Sequence, residues 1–366
     1  MENSKSNRIP SLDGLRAISI LLVLIGHLIG TANFPLKSGD YLNLGNLGVR
    51  VFFIISGFLI TGILLNEYGK TSTIDLKKFY YRRTLRIFPP YYFFLAVVGI
   101  LMLVQFLDVK LWEWFSSVFY LSNYAEIKTW QLGHTWSLAV EEQFYLIMPF
   151  LLFFTKKRKT FFILCAVIIL APFMRVIPLL TVSNINARWV SFGFQANADS
   201  LAMGCLLAFL RERLLNNQIY QKILSNPLFM LVPIVALLFN LLQDRPKIFS
   251  FFCITIINFC IVLCIDWAVT FHKNPIGKLL NSKPFVFFGM LSYSIYLWQQ
   301  LFLNRNSDSI IATFPLNIIL TIICAILSYY LIEKPSLKFR TKFEKTFLKS
   351  KRINIKSAKI ITERVK

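Results

Sequence analysis

Runs of about 20 apolar residues recur along the chain, each bounded by short polar or basic segments, the length an α-helix needs to cross a bilayer. The pattern predicts ten spans, at 12–32, 47–65, 88–107, 134–154, 161–180, 192–210, 228–242, 249–269, 285–303 and 310–332. The 228–242 run is short and contains Pro233, and the 134–154 and 192–210 spans carry acidic residues. Strands of a membrane barrel would instead be segments of about 10 residues with alternating apolarity. The expected fold is therefore an all-α integral membrane protein of about ten transmembrane helices. An even number of spans puts both termini on one side. With the termini inside, the inner segments hold 30 Lys and Arg and the outer segments 7, while Arg16, Arg50 and Arg175 fall within spans. Cytoplasmic segments carry such an excess, so both termini are expected in the cytoplasm.

Composition fits this pattern. Apolar residues make up 56% of the 366 and charged residues 16%, with 36 Phe and a mean hydropathy of +0.58. Globular domains average roughly 45–50% and about 25%. These values exclude a soluble enzyme, a disordered chain and a disulfide-stapled secreted module. A net charge of +22 would suggest nucleic acid in a soluble protein. Here the basic residues sit between apolar runs and report topology, so no nucleic-acid partner is expected. Cys165, Cys205, Cys253, Cys260, Cys264 and Cys324 all fall inside apolar runs without a C-x-x-C pair, and read as small buried residues. With three histidines in the chain, no metal site is expected. The uninterrupted apolar stretch 17–26 is as short as the core of a signal peptide, but no small-x-small cleavage site follows and the charge count works best if the segment stays. Residues 1–335 read as one membrane domain. Residues 336–366 read as a basic cytoplasmic tail suited to anionic lipid headgroups. No inverted repeat is apparent.

Ionisable residues within spans are costly and are functional candidates by default. Arg16 and His27 are eleven residues apart, an advance of about 16 Å that ends within about 20° of a whole number of turns. They share a face of span one, with Asp13 close to it. Arg16 is expected near the cytoplasmic end and His27 past the midplane. The same spacing also suits an Arg16 that snorkels to headgroups and a His27 that bonds a neighbouring helix. His134, Ser137, Glu141 and Tyr145 follow i, i+3, i+7, i+11, a polar stripe entering span four from outside, flanked by Glu142. Two adjacent acids there suit a wet cavity, or alternatively a buried network with arginines elsewhere. Arg82, Arg83 and Arg86 cluster before Pro89-Pro90-Tyr91-Tyr92. They read as phosphate ligands or as topology anchors. Ser56-Gly57 offers close backbone approach on span two, and Asp199 has Gln195 one turn before it. Ser292, Tyr296 and Gln299 form a further stripe on span nine, which also suits helix–helix hydrogen bonding. Glu333-Lys334-Pro335 is expected to end span ten.

Six segments carry a resemblance to a known family. They are Leu12-Asp-Gly-Leu-Arg16-Ala with His27, Phe52-Phe-Ile-Ile-Ser-Gly-Phe-Leu-Ile60, Tyr81-Arg-Arg-Thr-Leu-Arg-Ile-Phe-Pro-Pro-Tyr-Tyr92, Trp136-Ser-Leu-Ala-Val-Glu-Glu-Gln-Phe-Tyr145, Leu291-Ser-Tyr-Ser-Ile-Tyr-Leu-Trp298 and Tyr330-Leu-Ile-Glu-Lys-Pro335. In this order, from residue 10 to 335, the chain resembles the acyltransferase-3 family of multi-pass membrane O-acyltransferases. The resemblance implies a multi-pass enzyme of the bacterial inner (cytoplasmic) membrane. Such an enzyme takes an acyl group, usually acetyl, from cytosolic acetyl-CoA or another acyl-CoA. It passes the group to a hydroxyl of an extracytoplasmic or lipid-linked glycan, or of a smaller molecule. By the same resemblance Arg16 and His27 are the catalytic pair.

Two departures stand out. Family members usually have His-x-Pro after the span-nine Tyr-Leu-Trp, whereas this chain has Gln299-Gln300-Leu301. The role of that histidine is then lost or taken by Gln299. The family often has an arginine before Asp199, and here Asn197 precedes it by two. Some members append a soluble esterase-like domain. None is expected in this chain, so transfer would be direct or use a separate extracytoplasmic partner protein.

The resulting expectation is that Arg82, Arg83 and Arg86, with Ser56 and Gly57, bind the donor. His27 acts as base or as covalent acyl carrier, and Arg16 positions the donor or stabilises charge. Glu141 and Glu142 lie nearer the outer face, to bind acceptor hydroxyls or tune His134. His134, Trp136, Ser137, Tyr145 and Asp199 are the acceptor-binding candidates. A different class of reading, a secondary transporter of a glycan precursor or anion, also suits buried charges and Pro-interrupted spans.

Overall fold

The computed structural model describes residues 9–36, 43–181 and 188–342; most of the basic tail expected at 336–366, from residue 343 on, lies outside them. All regular structure among the described residues is helical, with no strand. In chain order come α1 (Leu12–Leu28), α2 (Leu44–Thr71), α3 (Leu76–Leu103) and the short α4 (Leu111–Val118). The stretch Thr135–Thr181 is two helices, because Lys156 has φ 60° and ψ 172°. We label them α5 (135–155) and α6 (157–181). The break falls on Lys156-Lys-Arg-Lys159, four cations that would be costly inside hydrocarbon. There follow α7 (Phe194–Leu215), α8 (Gln218–Ser225), α9 (Pro227–Asp244), α10 (Pro246–Thr270), α11 (Lys283–Phe302) and α12 (Leu316–Lys342).

Each of the ten expected runs falls on one of these helices. Among the described residues six helical segments are long and apolar enough to cross a membrane, and one of them, Trp130–Thr181, holds two of the runs. α1, α7 and α11 are not among the six. α1 has 17 residues, and α7 and α11 bury Asn197, Asp199 and Ser200, and Ser292, Ser294, Gln299 and Gln300 respectively. These are the helices that pack inside: α2 lies on α7, α1 on α2 and α11, and α5–α6 on α7. The outward surfaces are apolar. Leu103, Phe154, Phe162, Ile169, Leu228 and Leu331 stand 60–77% exposed, as lipid-facing side chains do. The face where α1 begins and α2 ends collects the basic segments and is called here the basic face.

Close contact between α2 and α7 depends on two glycines. A Cβ at Gly57 would lie 2.1 Å from the Leu201 carbonyl oxygen, and one at Gly204 would lie 2.1 Å from that of Ile54. Gly57→Val is therefore expected to push the helices apart and cost about 1–3 kcal/mol or more. It should lower the thermal unfolding midpoint in detergent. Gly62→Val, on the same helix with nothing within 4 Å of its Cβ position, should leave it unchanged. Equal midpoints for both would contradict this packing.

Two boundaries differ from expectation. α3 begins at Leu76, where Asp75 caps it by accepting from the Lys78 N–H at 3.0 Å. Arg82, Arg83 and Arg86 thus sit on helix rather than in a loop entering it. α12 runs through Pro335 to Lys342 instead of stopping there. A proline takes the donor away from the carbonyl four residues back. The π-helical turn Tyr329–Glu333 directly before it breaks the α register, so the chain continues. Glu333 is buried and accepts a hydrogen bond from Ser294 at 2.8 Å.

Candidate active site

At the basic face the ends of seven helices enclose a vestibule of about 1280 Å3. Arg16 of α1 and Arg83 and Arg86 of α3 line it together, with Lys70, Arg211 and Arg340 around the wall. Arg83 and Arg86 are i, i+3 and so share a helix face. Arg16 is held by Asp13, Nη1 to Oδ1 3.3 Å, and the Arg83 guanidinium lies 4.9 Å from the Tyr145 ring centroid. Arg82 lines neither this vestibule nor the cavity beyond it.

The same three arginines also line a smaller cavity of about 90 Å3 that leads away from the vestibule into the bundle. Ser56, Glu141, Glu142 and Tyr145 face it, and Ser137 and Tyr296 are among its lining residues. Glu141 accepts hydrogen bonds from the Ser56 and Tyr145 hydroxyls. Glu142 Oε1 is buried with no hydrogen-bond partner among the described residues. The two glutamates therefore line the cavity continuous with the arginines, and the hydrogen-bond partners of Glu141 are Ser56 and Tyr145 rather than His134. Gly57, expected beside Ser56 at the donor, instead faces α7. Its missing side chain serves helix contact.

Past Ser137 and Tyr296 lies a histidine pair. Tyr296 hydrogen-bonds Ser137 and donates to the His134 carbonyl at 3.3 Å. Gln300 Oε1 accepts from His134 twice, from its backbone N–H at 2.8 Å and from Nδ1 at 3.0 Å. His27 Nδ1 lies 2.7 Å from Gln299 Oε1. A carboxamide oxygen only accepts, so Nδ1 carries the proton and Nε2 presents its lone pair. Gln300 Nε2 approaches that nitrogen at 3.4 Å. The consecutive glutamines thus hold His27 and His134 side by side.

His27 opens onto a cleft of about 390 Å3 at the face opposite the basic one. Trp130 stands edge-on to it at 5.6 Å, and Arg305 lies over the Trp130 ring while donating to the Gly26 carbonyl at 2.8 Å. The Trp130 loop is fixed by Glu113, a fully buried carboxylate on α4. It accepts from the backbone N–H groups of Lys128 (2.9 Å) and Thr129 (3.3 Å) and from the Thr129 hydroxyl. Trp136 lines this cleft, packed against Phe192.

Asp199 is fully buried behind the cleft. It pairs with Arg175 at 2.8 Å and accepts from Asn258 at 3.2 Å. The structure places it beneath Arg175 rather than on an acceptor surface. Sequence reasoning passed over Glu113, Trp130 and Arg305, which carry no spacing signal; it noticed Gln299 on the span-nine stripe and as a departure, and Gln300 only as a departure. Among the described residues no set of three His, Cys, Asp or Glu side chains is grouped to hold a metal ion.

Comparison with known proteins identifies the family of the chain. Residues 9–333 match a family described as an acyltransferase domain. The chain is 31% identical over 358 residues to the O-acetyltransferase OatA of Staphylococcus aureus, in strains NCTC 8325 and MRSA252 alike. The matched region covers 89% of this chain and 57% of that relative, so the chain spans little more than half the length of the curated relatives it matches. No solved structure matches it.

Proposed function

The chain belongs to the acyltransferase domain family, and on that premise we propose that it carries an acetyl group from an acyl-CoA at the basic face to an acceptor hydroxyl at the opposite face. The acceptor is an envelope glycan or a lipid-linked sugar, and the membrane is the bacterial inner membrane. One observation carries the reading: the vestibule of Arg16, Arg83 and Arg86 leads into the Glu141 cavity, and Ser137 and Tyr296 on the wall of that cavity are hydrogen-bonded through His134 and Gln300 to His27. Coenzyme A phosphates match the guanidinium forks. The narrow cavity suits an extended pantetheine arm, directed at the Ser137–Tyr296 pair that stands before the histidines. Arg16 and His27 are about 16 Å apart along the helix, so they act on different parts of one donor.

The chemistry follows from the His27 tautomer. Nε2 takes the proton of the acceptor hydroxyl as its oxygen attacks the thioester carbonyl carbon. The carbon–sulfur bond then breaks, and the thiolate of coenzyme A leaves with the proton returned from Nε2. Gln299 fixes Nδ1–H throughout and keeps the basic nitrogen aimed outward.

Donor kinetics test the inner half of this reading. Arg83→Ala and Arg86→Ala should each raise the KM for acetyl-CoA about tenfold or more, the size of one charge-assisted hydrogen bond, with a much smaller change in kcat. Arg82→Ala should have the least effect of the three. An unchanged donor KM in all three variants would mark the arginines as topology anchors.

A further inference from the structure

A second cavity, of about 280 Å3, opens at the same face as the His27 cleft. Both are lined by Asn43, Asn46, Trp136 and Phe192. They are two halves of one opening, with the Trp136 and Phe192 rings, 4.7 Å apart, between them.

The wall of this second half holds two arginines inside the apolar bundle, Arg50 of α2 and Arg175 of α6. Arg175 is almost fully buried and fully engaged: Nη1 donates to Asp199 at 2.8 Å and to the Ala196 carbonyl at 3.0 Å, and Nε donates to the Ser250 carbonyl at 2.8 Å. Arg50 is different. Among the described residues its one hydrogen bond goes to the Ser200 hydroxyl at 3.4 Å, and no carboxylate forms an ion pair with it. Two guanidinium groups therefore share one carboxylate. A net positive charge held at membrane depth is costly unless something negative answers it. The guanidinium fork matches carboxylate and phosphate oxygens.

We propose that the Arg50–Arg175 cavity binds an anionic group, a carboxylate or a phosphate, carried on the same acceptor whose hydroxyl reaches His27. The assignment of that hydroxyl rests on the acetyl-transfer reading, while anion binding itself does not. Trp136 lines both halves, where the ring joining the two groups would lie, and Asn43 and Asn46 offer polar contacts on both sides of the junction. The acceptor is thereby gripped at two points. A neutral sugar would leave Arg50 unanswered and bind more weakly.

Binding without any donor tests this. Thermal unfolding of the purified full chain in detergent is followed with a methyl glucuronoside, with glucose 6-phosphate and with a methyl glucoside, at matched ionic strength. The account predicts that at least one of the two anionic sugars raises the midpoint, with half-saturation about tenfold or more below that of the glucoside. In Arg50→Gln that preference disappears. The unliganded midpoint of this variant should equal or exceed that of the wild type, because the substitution removes the charge that forms no ion pair among the described residues, and the one carboxylate is already paired with Arg175. Should Arg50→Gln unfold, Arg50→Lys, which keeps the charge without the fork, should still weaken anion binding several-fold. Equal shifts with all three sugars, or an anion preference unchanged in both variants, would overturn the proposal. Loss of the shift in phosphatidylglycerol nanodiscs, with retention in phosphatidylcholine, would assign the site to a lipid headgroup and overturn the acceptor assignment. Anion binding by a protein that transfers no acetyl would sink the enzymatic reading and leave the anion site standing. Transfer without any anion preference would do the reverse.

Discussion

His27→Ala is expected to lower acetyl transfer about a thousandfold, within the range of 10²–10⁴ that a positioned acid–base group contributes. The geometry assigns the loss to kcat. His27 lines the opposite-face cleft, whereas of the arginines proposed to bind the donor Arg16 lies about 16 Å down the same helix and Arg83 and Arg86 line the vestibule with it from α3, so donor KM should move little. His27→Gln preserves much of the volume and polarity and should fold and insert normally, yet be equally inactive. Initial rates with labelled acetyl-CoA, on protein of equal monodispersity, make the measurement. Normal product from either variant would remove His27 from the chemistry.

Gln299→Leu is expected to lower kcat about 10–100-fold, the size of the loss when the partner that orients a metal-bound imidazole is removed. Leucine fills the space without accepting the Nδ1 proton, so the ring loses both its orientation and its tautomer. A merely structural glutamine would not distinguish what replaces it. Gln299→Glu, which still offers an acceptor oxygen at 2.7 Å from Nδ1 in the present geometry, should retain more activity than Gln299→Leu despite the added charge. Equal losses in both variants would reduce Gln299 to packing.

The helices were legible because lipid demands long apolar runs, and each run became a helix. The Arg16–His27 relation was legible too, since a rigid helix fixes both its span and its face. Helix continuity was harder to read. The cations at Lys156–Lys159 announced a break that the structure realises in one residue, but Pro335 suggested an end that the preceding π-helical turn absorbs. The site was half legible. Spacing put Glu141, Ser137 and His134 on one stripe, but could not say that Glu141 faces the arginines while His134 faces Gln300. Glu141 meets Ser56 from 85 positions away, and His134 meets Gln300 from 166. His27 and Gln299 are 272 apart. Asp199 and Gly57 show the same limit from the other side. Asp199 stood out as an acid within an apolar run and Gly57 as a point of close backbone approach, and each answers a neighbouring helix, through Arg175 in one case and close backbone contact in the other. Arg50 and Arg175 were set aside as span residues in the charge count, and only the fold brings them to one cavity.

The account turns on transfer across the membrane rather than at one face. The direct measurement reconstitutes the protein in sealed vesicles with the basic face outward, adds labelled acetyl-CoA outside only, and encloses the hydroxylated acceptor. The account predicts base-labile labelled ester inside the vesicles with wild type, and none with His27→Ala. Product that forms only when donor and acceptor share a compartment would contradict it.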